Sequence, residues 1–259
     1  SKRRLPFDRT NEHILNNTTI IMGLRTIIRK SLRELSKYIK PSEFLNESYS
    51  QEGEDSILDR IFSHPSFKNK QTGFFVDVGA LHPIRFSNTY KFYKKGWRGI
   101  NIDALPGSMK AFKQLRPLDI NLEVPISNEK AAIPFYIFKE NALNTFSPEV
   151  VEERAKTGSK VERVINVETN TLSNILDQYL PASTKIDFLT IDAEGFDFKV
   201  LQSNNWQKYR PDILLLESEL QLLDFMNSDI YHFMQKNGYT IYAKSVKTYF
   251  LKNDDLNIF

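Results

Sequence analysis

The chain has 259 residues, of which 41% are hydrophobic and 12% aromatic, enough for one sizeable domain plus an extension. It contains no cysteine, which excludes disulfides, thiolate nucleophiles and thiolate-held zinc or iron–sulfur sites and fits a reducing, cytoplasmic compartment; no apolar run approaches the ~20 residues of a membrane helix, and no signal-peptide core is visible. The formal net charge of +3 is unevenly spread: residues 1–40 carry ten Lys/Arg against three Asp/Glu, so the remainder is mildly acidic and unsuited to a duplex nucleic acid.

Residues 11–40 predict one amphipathic helix. Ile21, Leu24, Ile28, Leu32, Leu35 and Ile39 form a narrow apolar stripe, with Arg25, Arg29, Arg33 and Lys37 beside it. Such a helix packs on its own domain or a second copy, or else meets a partner domain or a membrane surface. Residues 1–48 thus read as an N-terminal helical extension and 49–259 as the main domain. Within the latter, Ser50 or Gln51 opens a short helix carrying Ile57, Leu58, Ile61 and Phe62, with an acidic first turn that suits the helix dipole. The polar cluster before it is a candidate lining for a ligand crevice.

The organising stretch is 73–103. Phe74, Phe75, Val76 and Val78 predict a buried parallel strand ending at the turn Gly79-Ala80. Ser87-Asn88-Thr89 supplies cap-type residues for a helix that Gly96 closes, and 98–102 predicts a second strand with Asp103 at its tip. Strand, glycine turn, helix, strand, acid is half of a nucleotide-type crevice, in which the ligand crosses the carboxyl ends of the strands.

Further on, a helix is expected from Pro106 to about Leu115, a strand over 120–124, a short edge strand over 131–138 around Pro134, a helix over 148–156, a strand over 163–168 and a helix over 171–179. The polar-aromatic loop 142–146 is a candidate acceptor-binding segment. Residues 186–191 predict a buried strand that delivers Asp192 at its end, followed by Glu194-Gly195 and a helix over 196–201. Residues 211–216 predict another strand, delivering Glu217; helix, strand, strand complete the chain. Alternating strands and helices give an α/β, Rossmann-like, doubly wound sheet.

The turn after the first strand limits the ligand. A pyrophosphate needs further glycines where Leu81 and Pro83 stand, whereas S-adenosylmethionine has no pyrophosphate and is compatible with a single glycine followed by Ala80. Asp103 then matches a ribose-binding acid. An alcohol acceptor needs a base, or a metal that lowers its pKa. Asp192 is a candidate catalytic residue. Asp192 and Glu217 are also oxygen ligands of the kind that Mg²⁺ or Mn²⁺ accepts. His82 either serves as general base or fixes its own loop. The chain has no Asp/Asn-Pro-Pro-aromatic motif and no cysteine nucleophile, so oxygen is the expected acceptor atom.

As an ordered set, the run from Val76 to Asp103, Asp119-Ile120-Asn121-Leu122, 143–147, Ile191-Asp192-Ala193-Glu194-Gly195 and the upstream Ser50-Gln51-x-Gly53-x-Asp55 resemble the FkbM-type methyltransferases over about residues 49–219. The resemblance implies a class I methyltransferase fold with a seven-stranded sheet, S-adenosylmethionine as cofactor, and O-methylation of hydroxyls, often on sugars of glycans or glycosylated natural products. It implies that Asp77, Gly79 and Ala80 hold the methionine end of the cofactor and Asp103 the ribose. The segment near Asn121 to Ser127 would flank the adenine, Gln51 and Asn88 would join the cofactor-binding set, and Asp192 would face the methyl group. Many members have Asn and a later Gly where this chain has Leu81-His82-Pro83. The expected acceptor is a 6-deoxyhexose such as rhamnose or fucose; a lipid or polyketide hydroxyl, or a non-catalytic glycan-binding module of the same fold, are the alternatives.

Overall fold

The computed structural model describes residues 30–31, 45–67 and 70–258. The chain divides into two units, Ser1–Glu47 and Ser48–Phe259. In the first, Lys30 and Ser31 are helical and exposed; the amphipathic helix expected over 11–40 otherwise lies outside the described residues. All that follows concerns the second unit.

Its centre is a seven-stranded sheet in the order β3-β2-β1-β6-β7-β9-β8. The strands are β1 (Phe74–Val78), β2 (Arg98–Asp103), β3 (Ile120–Glu123), β6 (Phe188–Ile191), β7 (Ile213–Glu217), β8 (Tyr239–Lys244) and β9 (Thr248–Asn253). The first five run parallel, and β9 enters antiparallel between β7 and β8. The chain winds outward from β1 to β3, then returns to the other side of β1 as β6. The carboxyl ends of β1 and β6 therefore flank a topological switch point, the place where such sheets bind ligands.

Both faces of the sheet are covered, as continuous apolar runs require. Val76, Val78, Ile100, Ile102, Leu189, Ile191, Leu214 and Leu216 face one layer. That layer comes from α5 (Leu172–Tyr179), α6 (Asp197–Gln202), α7 (Leu222–Met226) and α8 (Asp229–Lys236). Phe75, Phe188, Ile213, Leu215 and Phe250 face the other, which includes α1 (Glu54–Phe62), α2 (Tyr90–Lys94) and Trp97. The period-2 alternation along β1 thus sends Asp77 to the Phe75 face, beneath α2. Of the cap-type residues 87–89, Ser87 Oγ accepts from Tyr90 N at 3.1 Å; Thr171 and Ser228 also cap helices, their hydroxyls accepting from Asn174 N and Tyr231 N, each at 3.2 Å. The helix expected from Pro106 starts three residues later, as α3 (Met109–Leu115), because Leu105 to Ser108 form a turn with Gly107 at φ 90°.

The Pro134-containing segment, β4 (Ala132–Phe138), is not an edge of the main sheet; it pairs antiparallel with β5 (Val161–Glu168) in a two-stranded sheet of its own. Between them lie a 3-10 turn (Asn141–Leu143) and α4 (Pro148–Lys156). Phe135, Ile137 and Phe146 on this excursion pack against Phe196, Ala104, Leu105 and Ala193, the residues just beyond β2 and β6. Phe135 and Phe146 stack with ring centroids 4.4 Å apart. The hairpin is thereby fixed over the carboxyl ends of the sheet.

Candidate functional site

A cleft of about 850 Å³ opens at the switch point, within the size range of small-molecule sites. Its floor is made by strand ends: Val78 and Gly79, Ile102 and Asp103, Thr190 to Asp192, and Glu217. Asn141 to Asn144, Phe146 and Arg154 of the hairpin excursion form one wall. Gln51, Glu52 and Glu54 help form another, stapled to the β8–β9 turn. Glu52 Oε2 accepts from Ser245 Oγ at 2.8 Å and Lys247 N at 2.7 Å, and Glu54 Oε1 accepts from Thr248 Oγ1 at 3.0 Å. The preceding loop is held by Asp55, whose carboxylate accepts from Ser48 Oγ, Tyr49 N and Ser50 Oγ.

At the β1–β2 side, the turn after β1 folds back so that Gly79 N and Ala80 N both donate to Ile102 O, at 2.9 and 3.0 Å. Gly79 has φ 87° and lies against the main chain of Asp192. Asp103 at the β2 tip accepts from Leu81 N at 3.1 Å through Oδ2 and from Leu105 N at 2.8 Å through Oδ1. Burial pushes its carboxyl above the ordinary range, and the amides of Leu105 and Leu81 oppose that push. Each oxygen retains a further lone pair for a ligand hydroxyl. Asn88 lines the cleft and donates to Thr190 Oγ1 at 3.1 Å. Among the described residues, four non-glycine positions have positive φ, and three of them (Leu81, Phe86 and Glu194) line this cleft, where strained backbone tends to gather.

At the other side, Asp192 and Glu217 follow the paired residues Ile191 and Leu216 of adjacent parallel strands, which puts their carboxyls at neighbouring positions on the cleft floor. Burial, then the charges of Glu217, Glu194 and Asp197, hold Asp192 well above the usual carboxylate range. Glu194, at φ 49°, is pushed up to about 7 by burial despite the guanidinium of Arg154, with which it forms an ion pair. Asp197 is turned to the backbone, accepting from Ala193 N and Gly195 N at 3.0 and 3.2 Å. Among the described residues no group of three or more His, Asp or Glu side chains is arranged to hold a metal ion.

Of the residues singled out from the sequence, Gln51, Gly79, Asn88, Asp103, Asp192 and Glu217 line the cleft; Asp77, Ala80, His82 and Ser127 do not. Asp77 is buried under α2, accepting from Thr89 Oγ1 at 2.9 Å near the buried guanidinium of Arg116. Ala80 packs on Met109 and Phe112. Ser127 is buried, its Oγ 3.3 Å from Asn128 Oδ1. His82 Nδ1 accepts from Ile84 N at 3.1 Å and Arg85 N at 2.9 Å, so the neutral ring carries its proton on Nε2 and fixes its own loop. Burial and Arg85 lower its pKa, which favours that neutral form. Arg154 and Phe86 entered the site without a sequence signal: nothing in an isolated helical arginine or an apolar loop residue foretells a cleft.

Residues 77–241 match the family model described as the methyltransferase FkbM domain. No curated protein and no solved structure matches the chain at a significant level.

Proposed function

The chain belongs to the FkbM methyltransferase family, and from that premise we propose that it moves the methyl group of S-adenosylmethionine to a hydroxyl oxygen of a sugar, a 6-deoxyhexose in a glycan or glycoconjugate. The observation that carries this reading is the placement of the half-buried Asp192 and Glu217 at neighbouring strand ends on the cleft floor that also holds Asp103. One end offers acceptors for ribose hydroxyls, and the other offers a base for an alcohol.

The fit to the donor rests on two features. Gly79, at φ 87°, lets the turn after β1 close on the main chain of Asp192 with no side chain in the way, and Asp103 is oriented at the β2 tip by two backbone amides. When bound, S-adenosylmethionine supplies an electrophilic methyl group on a positively charged sulfur. Gly79 and Asp103 would hold that donor, and Asp192 would take up the proton of the acceptor hydroxyl as its oxygen is methylated. A carboxylate raised by burial and by the Glu217 charge is a stronger base than one in water, and the excess negative charge near the donor favours a cationic sulfonium. Glu217 contributes by raising the basicity of Asp192. Asp192 and Glu217 fit a divalent ion only as a two-carboxylate set, so no step is assigned to a metal.

The acceptor would lie between this pair and the hairpin wall, where Leu143 and Phe146 stand beside the amides of Asn141 and Asn144. Apolar faces alternating with amides suit a pyranose ring and its C6 methyl. The apolar share of that wall also suits the second reading, a lipid or polyketide hydroxyl. A cytoplasmic location belongs to the same proposal.

The test is thermal unfolding with S-adenosylhomocysteine, NAD or buffer, with and without Mg²⁺, followed by methyl transfer to a panel of rhamnosides, fucosides and long-chain alcohols. A ligand at 100 times its Kd stabilises the fold by about 2.7 kcal/mol, an easily read shift. A shift with S-adenosylhomocysteine alone and transfer to a deoxyhexoside support the proposal; glycan binding without transfer would instead mark a non-catalytic module.

A further inference from the structure

Arg154 lies on α4 and lines the cleft, with its side chain only 15% exposed. It donates to the main-chain carbonyl of Leu143 and to the carboxylate of Glu194, two groups 51 residues apart in the chain and on opposite sides of the cleft wall. Its guanidinium lies 5.7 Å from the ring centroid of Phe138. The same junction has two further ties: Thr145 Oγ1 donates to Glu194 O at 2.6 Å, and Gly195, at φ 90°, lets Val150 approach to where a side-chain carbon would be 2.7 Å from it.

We infer that Arg154 is a positioning residue: it clasps the loop 139–147 to the turn after β6 and so sets the wall against which the acceptor lies. The planar fork of arginine reaches a carbonyl and a carboxylate at once, a geometry that a lysine ammonium on its flexible stem does not reproduce. Glu194 is held in a left-handed backbone conformation at the far end of the same contact, two residues from Asp192. Loss of the clasp frees the wall and the Glu194 end of the turn after β6, while the amides of Leu81 and Leu105 still hold Asp103. The link between this wall and the acceptor rests on the functional reading above; the clasp itself does not.

The two are separated by measuring Arg154→Gln and Arg154→Lys in the full chain. Amide hydrogen exchange reads the clasp: Leu143, Asn144 and Thr145, whose amides donate to Glu140, Asn141 and Tyr136 carbonyls, should exchange at least about tenfold faster in Arg154→Gln and to an intermediate degree in Arg154→Lys. Steady-state kinetics read the acceptor wall: KM for the deoxyhexoside should rise about tenfold or more, with KM for S-adenosylmethionine unchanged within about twofold. Unchanged exchange overturns the clasp. Equal losses of donor and acceptor affinity with a lowered Tm overturn the positioning role and leave Arg154 a support of the fold. If the unaltered chain transfers methyl to no hydroxyl while exchange accelerates as expected, the clasp stands and the transfer reading alone falls.

Discussion

A side-chain carbon on Gly79 would sit 1.8 Å from the main-chain oxygen of Asp192. The turn that ends β1 and the strand end that delivers the candidate base are therefore in direct main-chain contact, and the floor of the cleft is a single piece of backbone packing. Gly79→Ala adds that clash to a φ of 87° that side chains avoid. The expected cost is on the order of 4 kcal/mol, with loss of S-adenosylhomocysteine binding. Urea unfolding together with calorimetric titration checks it, and a variant as stable as the parent would show that the approach is not this close.

That contact also shows what the sequence could and could not reveal. The strand ends at Gly79, Asp103, Asp192 and Glu217 were legible because apolar runs of strand length stop at a small or charged residue, a purely local pattern. Asp77 belongs to the same run, yet its side chain faces away from the cleft. Parity along β1 places it with Phe75, but only the packed sheet shows that α2 and Arg116 occupy that side. The excursion from β4 to β5 was hidden for a similar reason. Pro134 lacks an N–H and signals an edge, but not the edge of which sheet. Arg154 could not be read at all, since its partners Leu143 and Glu194 are joined only by the fold.

Asp103→Ala removes the acceptor for both the Leu81 and Leu105 amides as well as the proposed ribose contact. Affinity for S-adenosylhomocysteine should fall by about 100-fold or more, the equivalent of two charge-assisted hydrogen bonds. Calorimetry measures this directly. Affinity within a factor of three of the parent would exclude Asp103 from donor binding.

Asp192→Asn should lower kcat by about 10²–10⁴-fold while donor affinity is kept. Glu217→Gln is the more informative partner. The Glu217 charge raises the pKa of Asp192, so its removal lowers that pKa. Since the base acts when ionised, kcat/KM rises with pH through the Asp192 pKa. In Glu217→Gln that rising limb should move to lower pH. A limb that stays in place in this variant would dissociate the pair from the proton transfer.

Asp77 gives a stability signature separate from catalysis. Burial raises its pKa from an ordinary 3.8 to about 6, against the attraction of Arg116 and the Thr89 hydrogen bond. Between those two values the folded state holds a proton that the unfolded chain has already released. Stability therefore falls as pH rises through that window and levels off above it. Asp77→Asn should remove this slope, worth at most about 3 kcal/mol at pH 8. Denaturant midpoints at pH 4, 6 and 8 for both proteins check the sign.

The place of β9 between β7 and β8 has a consequence for how the molecule is made. Until the strand that comes last in chain order arrives, the apolar edge of β7 offers a row of unpaired main-chain groups, the kind of template that recruits other chains. Because β9 slots inside β8, the pair must dock as a finished hairpin. Lys247 and Thr248 of that hairpin also secure Glu52 and Glu54 at the cleft wall. A polypeptide broken before residue 248 would thus leave the edge of β7 open to other chains and lack the Thr248 contact that secures Glu54 at the cleft wall.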